Sequence, residues 1–128
     1  MIIIGHNAVP YKKFAKARSI DDIKEISANK TVLIEGENFL EIAKHCSENS
    51  VKYACKIDKI KDALLLSALN ATYIITELDS ARSFQKLADE YMFDSKILCL
   101  IQSDDEIEDV ANEFIDGVIY KGVIDGES

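Results

Sequence analysis

Five short apolar runs recur along this chain at near-constant spacing, the first four each followed by a helical pattern, and no other feature constrains the fold as strongly. The runs are TVLIE, KYACKI, YIITEL, KILCLI and GVIY, beginning near Thr31, Lys52, Tyr73, Lys96 and Gly117. Their period of roughly 20 to 23 residues is the length of one strand–helix unit. Val, Ile and Tyr suit a pleated, half-buried surface, so each run reads as a strand. Asn38 caps the next helix, whose inward face is Phe39, Ile42, Ala43 and Cys46. A second helix runs from Ile60 to Leu69. A third runs from Ser80 to Met92, with Phe84, Leu87, Ala88 and Tyr91 inward. Ser103 caps a fourth, with Ile107, Val110, Ala111 and Phe114 inward. Ahead of the repeats, Ile2 to Ile4 is a short strand closed by Gly5. Tyr11 to Ala17 is an extended stretch of imperfect alternation, Phe14 falling between Lys12 and Lys16. Ser19, with Asp22 three residues on, starts a helix along Ile20, Ile23 and Ile26, and Asn29 ends it.

Strands alternating with helices imply parallel pairing through right-handed crossovers. A strand apolar on both faces, such as ILCLI, implies helices covering both sides of the sheet. Five units are too few to close an eight-stranded barrel. The expected class is therefore α/β: a three-layer α/β/α arrangement around a doubly wound, mostly parallel sheet of the flavodoxin-like kind, with an added N-terminal strand segment. The expected order of the five repeated strands is 2-1-3-4-5. This sets Tyr73–Leu78 at the centre, between Thr31–Glu35 and Lys96–Ile101. All 128 residues form one domain, with residues 1–30 an extension packed on the repeated units of 31–124 and a polar tail from Asp125 to Ser128.

The formal net charge of −8 argues against nucleic-acid binding, which needs a basic face to displace counterions. It disfavours anionic membrane surfaces for the same reason. No apolar run approaches the ~20 residues that span a bilayer. MIIIGHNAV lacks the basic flank of a signal peptide. Cys46, Cys55 and Cys99 contain no Cys-x-x-Cys and suit a reducing compartment. A cytoplasmic location is the expectation.

In open α/β sheets, ligands bind beyond the carboxyl ends of the strands. The chain puts there His6 and Asn7, Glu35 and Glu37, Asp58, Glu77 and Asp79, Gln102 to Asp105, and Lys121. The candidate cleft is Glu35, Glu37, Glu77, Ser103, Lys121 and His6. Clustered carboxylates can hold Mg²⁺, but acids after strands also complement helix dipoles, which accounts for Glu37, Asp104 and Asp105. His6 is a candidate base without an identified partner. Cys46 falls on the buried stripe of its helix and His45 points away from it, so the two make no nucleophile–base pair. No phosphate loop, dinucleotide fingerprint or zinc-protease motif occurs. No catalytic residue is identified, and the chain reads as non-enzymatic.

The run from Thr31 to Ile124 resembles response-regulator receiver domains. VLIEGEN offers Glu35 and Glu37 for their acidic pair, YIITELD offers Thr76 or Glu77 at the phosphoacceptor position, CLIQS offers Ser103, and IDGVIYKG offers Lys121. The departures are the missing acceptor aspartate, Gly36 between the two acids, and Gly122 where the family has proline. The resemblance implies Glu77 as a fixed negative charge held by Lys121. EDVANEFIDGVIYKGVI also looks like the closing unit of phosphate-binding TIM barrels, without their glycine-rich turn.

The helix from Ile60 to Leu69 is apolar around most of its circumference, through Leu64, Leu65, Leu66 and Leu69. A surface helix needs one apolar stripe, so the second face is expected either to meet a protein partner or a second copy or to be covered by a loop or the N-terminal segment. The expected function is a protein-interaction or regulatory module. The alternatives are a divergent phosphoreceiver, or a ligand-binding domain or small enzyme using the acidic cleft, with Mg²⁺ or a phosphate ligand.

Overall fold

The computed structural model describes residues 1–125. Seven strands, β1 (Ile2–Ile4), β2 (Phe14–Ala17), β3 (Thr31–Ile34), β4 (Tyr53–Lys56), β5 (Tyr73–Thr76), β6 (Lys96–Ile101) and β7 (Gly117–Tyr120), form one sheet. Six helices alternate with them after β2: α1 (Ile20–Lys24), α2 (Phe39–Glu48), α3 (Ile60–Ala68), α4 (Leu78–Glu90), α5 (Glu106–Asn112) and α6 (Lys121–Ile124). Every strand pair is parallel. The α/β class and the parallel sheet with its added N-terminal strand are as expected. Residues 126–128 of the expected tail lie outside the described part. No described helix is long and apolar enough to cross a membrane.

The strand order expected within that class is corrected. The sheet runs β1-β7-β6-β5-β4-β3-β2, so the repeated strands stand in sequence order. Tyr73–Thr76 pairs with β4 and β6, and Thr31–Ile34 pairs with β2 and β4. Right-handed crossovers that always step to the next strand carry their helices to one face. One core cluster accordingly joins Ile23 of α1, Ile42 and Cys46 of α2, Leu66 of α3, Phe84 of α4 and Val110 of α5 to outward strand residues such as Ile34, Ile74 and Val118. Among the described helices only the short α6 lies against the other face, so the layers are unequal.

That other face curls on itself. Ile4, Phe14, Leu33, Ala54, Ile75, Leu98 and Ile119, one from each strand, form a second buried cluster with Val123 of α6. Phe14 on β2 and Tyr73 on β5 lie 6.2 Å apart between ring centroids. Three strand spacings on a flat sheet come to about 14 Å. At the far edge, β1 approaches β7 closely because Gly117 has no side chain. A methyl group there would press on the Ile2 carbonyl and lie 2.6 Å from its Cβ.

The helices α2 to α5 end in one recurring way, with a residue at positive φ: Ser50, Asn70, Met92 and Phe114. The next residue donates its N–H back to the last turn, as Val51 does to Cys46, Ala71 to Leu66 and Phe93 to Ala88. This corrects the expectation that Phe114 and Tyr91 face inward. Both helices stop before the periodicity reaches them, and they are 86% and 69% exposed. Phe114 therefore carries left-handed strain with little burial in return. Replacing it by Asn, the residue at the matching place after α3, should raise stability by about 0.5–1 kcal/mol in urea unfolding. A loss of stability would mean that Phe114 makes a contact its exposure hides.

Candidate functional site

The sheet's alternation decides which side chains reach its carboxyl-end mouth. Ala54, Ile75 and Ile119 belong to the inner cluster. Period-two alternation places Lys56, Glu77 and Lys121, two residues further on, on the same face at the rim. With Leu100, Gln102 and Asp125 they line a hollow of about 390 Å³, closed on one side by Ile124. Glu77 and Lys121 thus meet at one site, two strands apart, as their strand-end positions suggest. They make no ion pair. Among the described residues neither Lys56 nor Lys121 has a carboxylate oxygen within 4.0 Å.

The other carboxylates near the mouth are committed. Glu35 lies 3.5 Å from Lys16 and 3.2 Å from Arg18. Its Oε1 accepts no hydrogen bond despite that proximity to Arg18. Glu106 also borders the hollow, but its Oε2 accepts from the backbone N–H groups of Gln102 and Ser103 at 2.7 and 2.8 Å. Those bonds hold its carboxyl below the usual range. The loop before α5 is thereby tied by Glu106, and Ser103 contributes chiefly its backbone.

His6, which showed no partner in the sequence, has one in space. Its Nε2 is 3.3 Å from Asp104 Oδ2, while Nδ1 accepts from the Ala8 N–H at 3.0 Å. With Nδ1 accepting, neutral His6 carries its proton on Nε2, facing Asp104. The Tyr120 hydroxyl donates to the other Asp104 oxygen. These bonds, Tyr120's first, hold the Asp104 carboxyl low, and the Tyr120 phenol is pushed up to about 12. The trio joins the β1, β6 and β7 ends and offers no nucleophile.

Glu35 borders a neighbouring hollow of about 230 Å³ with Lys56 and Phe39, and Glu37 is exposed before α2. Among the described residues no three His, Cys, Asp or Glu side chains converge where a metal ion would sit. The thiols are buried and pushed up, Cys46 and Cys99 to about 11 and Cys55 to about 12, chiefly by desolvation. Lys56 is the site residue absent from the sequence reading. Its signal was its place two residues after the small Ala54 in KYACKI, on the inner face of β4.

A second feature lies outside the sheet. Between α3 and α4 runs a groove of about 500 Å³ lined by Ile60, Ser83, Lys86, Leu87, Glu90 and Tyr91. Ile60 is 47% exposed, and Leu64, one turn on, is 40% exposed. Leu65 is exposed too, and Leu69 is half-buried. Leu66 is completely buried and belongs to the core, which corrects its place among the interface candidates. Consecutive residues are 100° apart on a helix, so three leucines in a row cannot share one face.

Compared with known proteins, the sequence matches no protein-family model and no curated protein.

Proposed function

We propose that this chain is a non-enzymatic α/β module that acts through protein contact, with the groove between α3 and α4 as its docking face and a second copy as its occupant. The observation that carries the reading is the apolar groove lined by Ile60, Leu87 and Tyr91, with exposed Leu64 one helical turn from Ile60 beside it. Its rim is self-complementary. Lys86 and Glu90 stand one turn apart on α4, so a two-fold axis perpendicular to α4 and midway between them would set each lysine against the partner's glutamate. Among the described residues the thiols are buried and His6 is held by Asp104 and the Ala8 N–H, which favours contact over chemistry.

A receiver-like reading, with Glu77 as a fixed charge at the acceptor position, has one observation in its favour, the hollow that Glu77 shares with Lys121. The sequential strand order weighs against it.

The test is the mass in solution. Light scattering on the whole chain should give a dimer, and Leu64→Glu should return it to a monomer with an unchanged circular dichroism spectrum. A wild-type monomer at high concentration overturns the reading.

A further inference from the structure

The hollow at the sheet's mouth carries a separate inference, which does not depend on the groove. After the commitments of Glu35, Glu106 and Asp104, the charged groups left facing it are two cations, Lys56 and Lys121, and two anions, Glu77 and Asp125. They line one cavity without neutralising each other, and backbone register explains part of this. Lys56 stands level with Ile75, so Glu77 lies one pleat further on. Extending the β6–β7 register by one residue puts Lys121 level with Gln102. The strands thus hold unlike charges out of register in a chain that has acids to spare.

We propose that this hollow binds a small zwitterion of the free α-amino-acid class. The ligand's carboxylate would lie between Lys56 and Lys121, its ammonium would face Glu77 and Asp125, and its side chain would rest on Leu100 and Ile124. Charge balance selects this class. A phosphate dianion would face the two uncommitted carboxylates, Glu77 and Asp125, with no ammonium of its own to set against them. A divalent cation would face two lysines, and no metal-type cluster of His, Cys, Asp or Glu exists among the described residues. The volume of about 390 Å³ lies at the small end of ligand sites. The Gln102 amide adds a donor and an acceptor that suit either pole.

The experiment is a thermal-shift screen of the full chain against the twenty free amino acids, inorganic phosphate and Mg²⁺, each at about 10 mM, followed by calorimetric titration of any hit. At least one amino acid should raise Tm. The matching amine without its carboxylate should not, and phosphate and Mg²⁺ should leave Tm unchanged. Lys56→Gln and Lys121→Gln should each weaken the hit by about tenfold or more, since each removes a charge-assisted bond. Both positions are exposed, so the variants should fold. Stabilisation by phosphate or Mg²⁺ in place of an amino acid overturns the proposal. So does a screen in which no amino acid raises Tm, or undiminished binding by both variants. The dimer test reads mass and this one reads ligand, so either can fail alone.

Discussion

Between about pH 9 and pH 11 the protein should lose stability by about 3 kcal/mol per pH unit. The cause is three buried thiols. Cys46, Cys55 and Cys99 are each below 3% exposed, and their folded-state pKa values rise from 9.0 to about 11, 12 and 11. Below pH 9 the thiols are protonated in both states, and their contribution is fully present. Above it the unfolded chain releases three protons that the native state retains. The unfolded state then binds fewer protons, and stability falls as pH rises. Each such proton contributes about 1.4 kcal/mol per pH unit until the native thiols themselves begin to ionise. Against a typical total of about 5–15 kcal/mol, two pH units suffice to unfold a marginal domain. Urea unfolding followed by circular dichroism at half-unit steps from pH 8 would measure the slope. A midpoint that stays level to pH 11 would show that the thiols reach water in the native state.

Gly117→Ala should destabilise the fold by about 1–3 kcal/mol and free β1 from the sheet. The added methyl would press on the Ile2 carbonyl and approach Ile2 Cβ to 2.6 Å and Leu98 Cδ2 to 2.9 Å. Backbone on one side and a buried leucine on the other leave little room to yield. The weaker neighbour is β1, an edge strand of three residues held through Ile2–Gly117, Ile3–Val118 and Ile4–Ile119. Hydrogen exchange should therefore show lost protection in β1, with β4 and β5 close to wild type. Unchanged protection at Ile3 and Ile4 would contradict this account.

The sequence disclosed the class of fold through the sharp ends of its apolar runs and through helix stripes such as Ile42, Ala43 and Cys46, all buried as the spacing implies. It did not disclose the strand order. Alternating strands and helices with right-handed crossovers fit both a doubly wound and a sequential sheet, and tertiary packing chooses between them. Phe14 held a clue. A single aromatic between Lys12 and Lys16 suits the inner face of an edge strand that faces other strands across a curl, as Phe14 faces Tyr73. Tyr91 and Phe114 misled because a periodic count continues past the point where a positive-φ residue stops the helix. Glu77 and Lys121 were legible as strand-end residues. Lys56 was not, because KYACKI reads as strand through Ile57 and hides which of its residues reaches the rim.

The pairing of β1 with β7 also bears on how the chain is made. Each of the pairs from β2–β3 through β6–β7 joins strands consecutive in the chain, so the ladder can be assembled in the order of synthesis. β1 is the exception. Ile2 leaves the ribosome roughly 115 residues ahead of Gly117, and at about 5–20 residues per second it waits several seconds or more for β7, its partner strand. During that interval a hydrophobic Ile-Ile-Ile segment is available to any other open strand edge. A nascent-chain binder or a rapid translation rate should therefore matter more for the yield of this protein than the stability of its finished sheet would suggest.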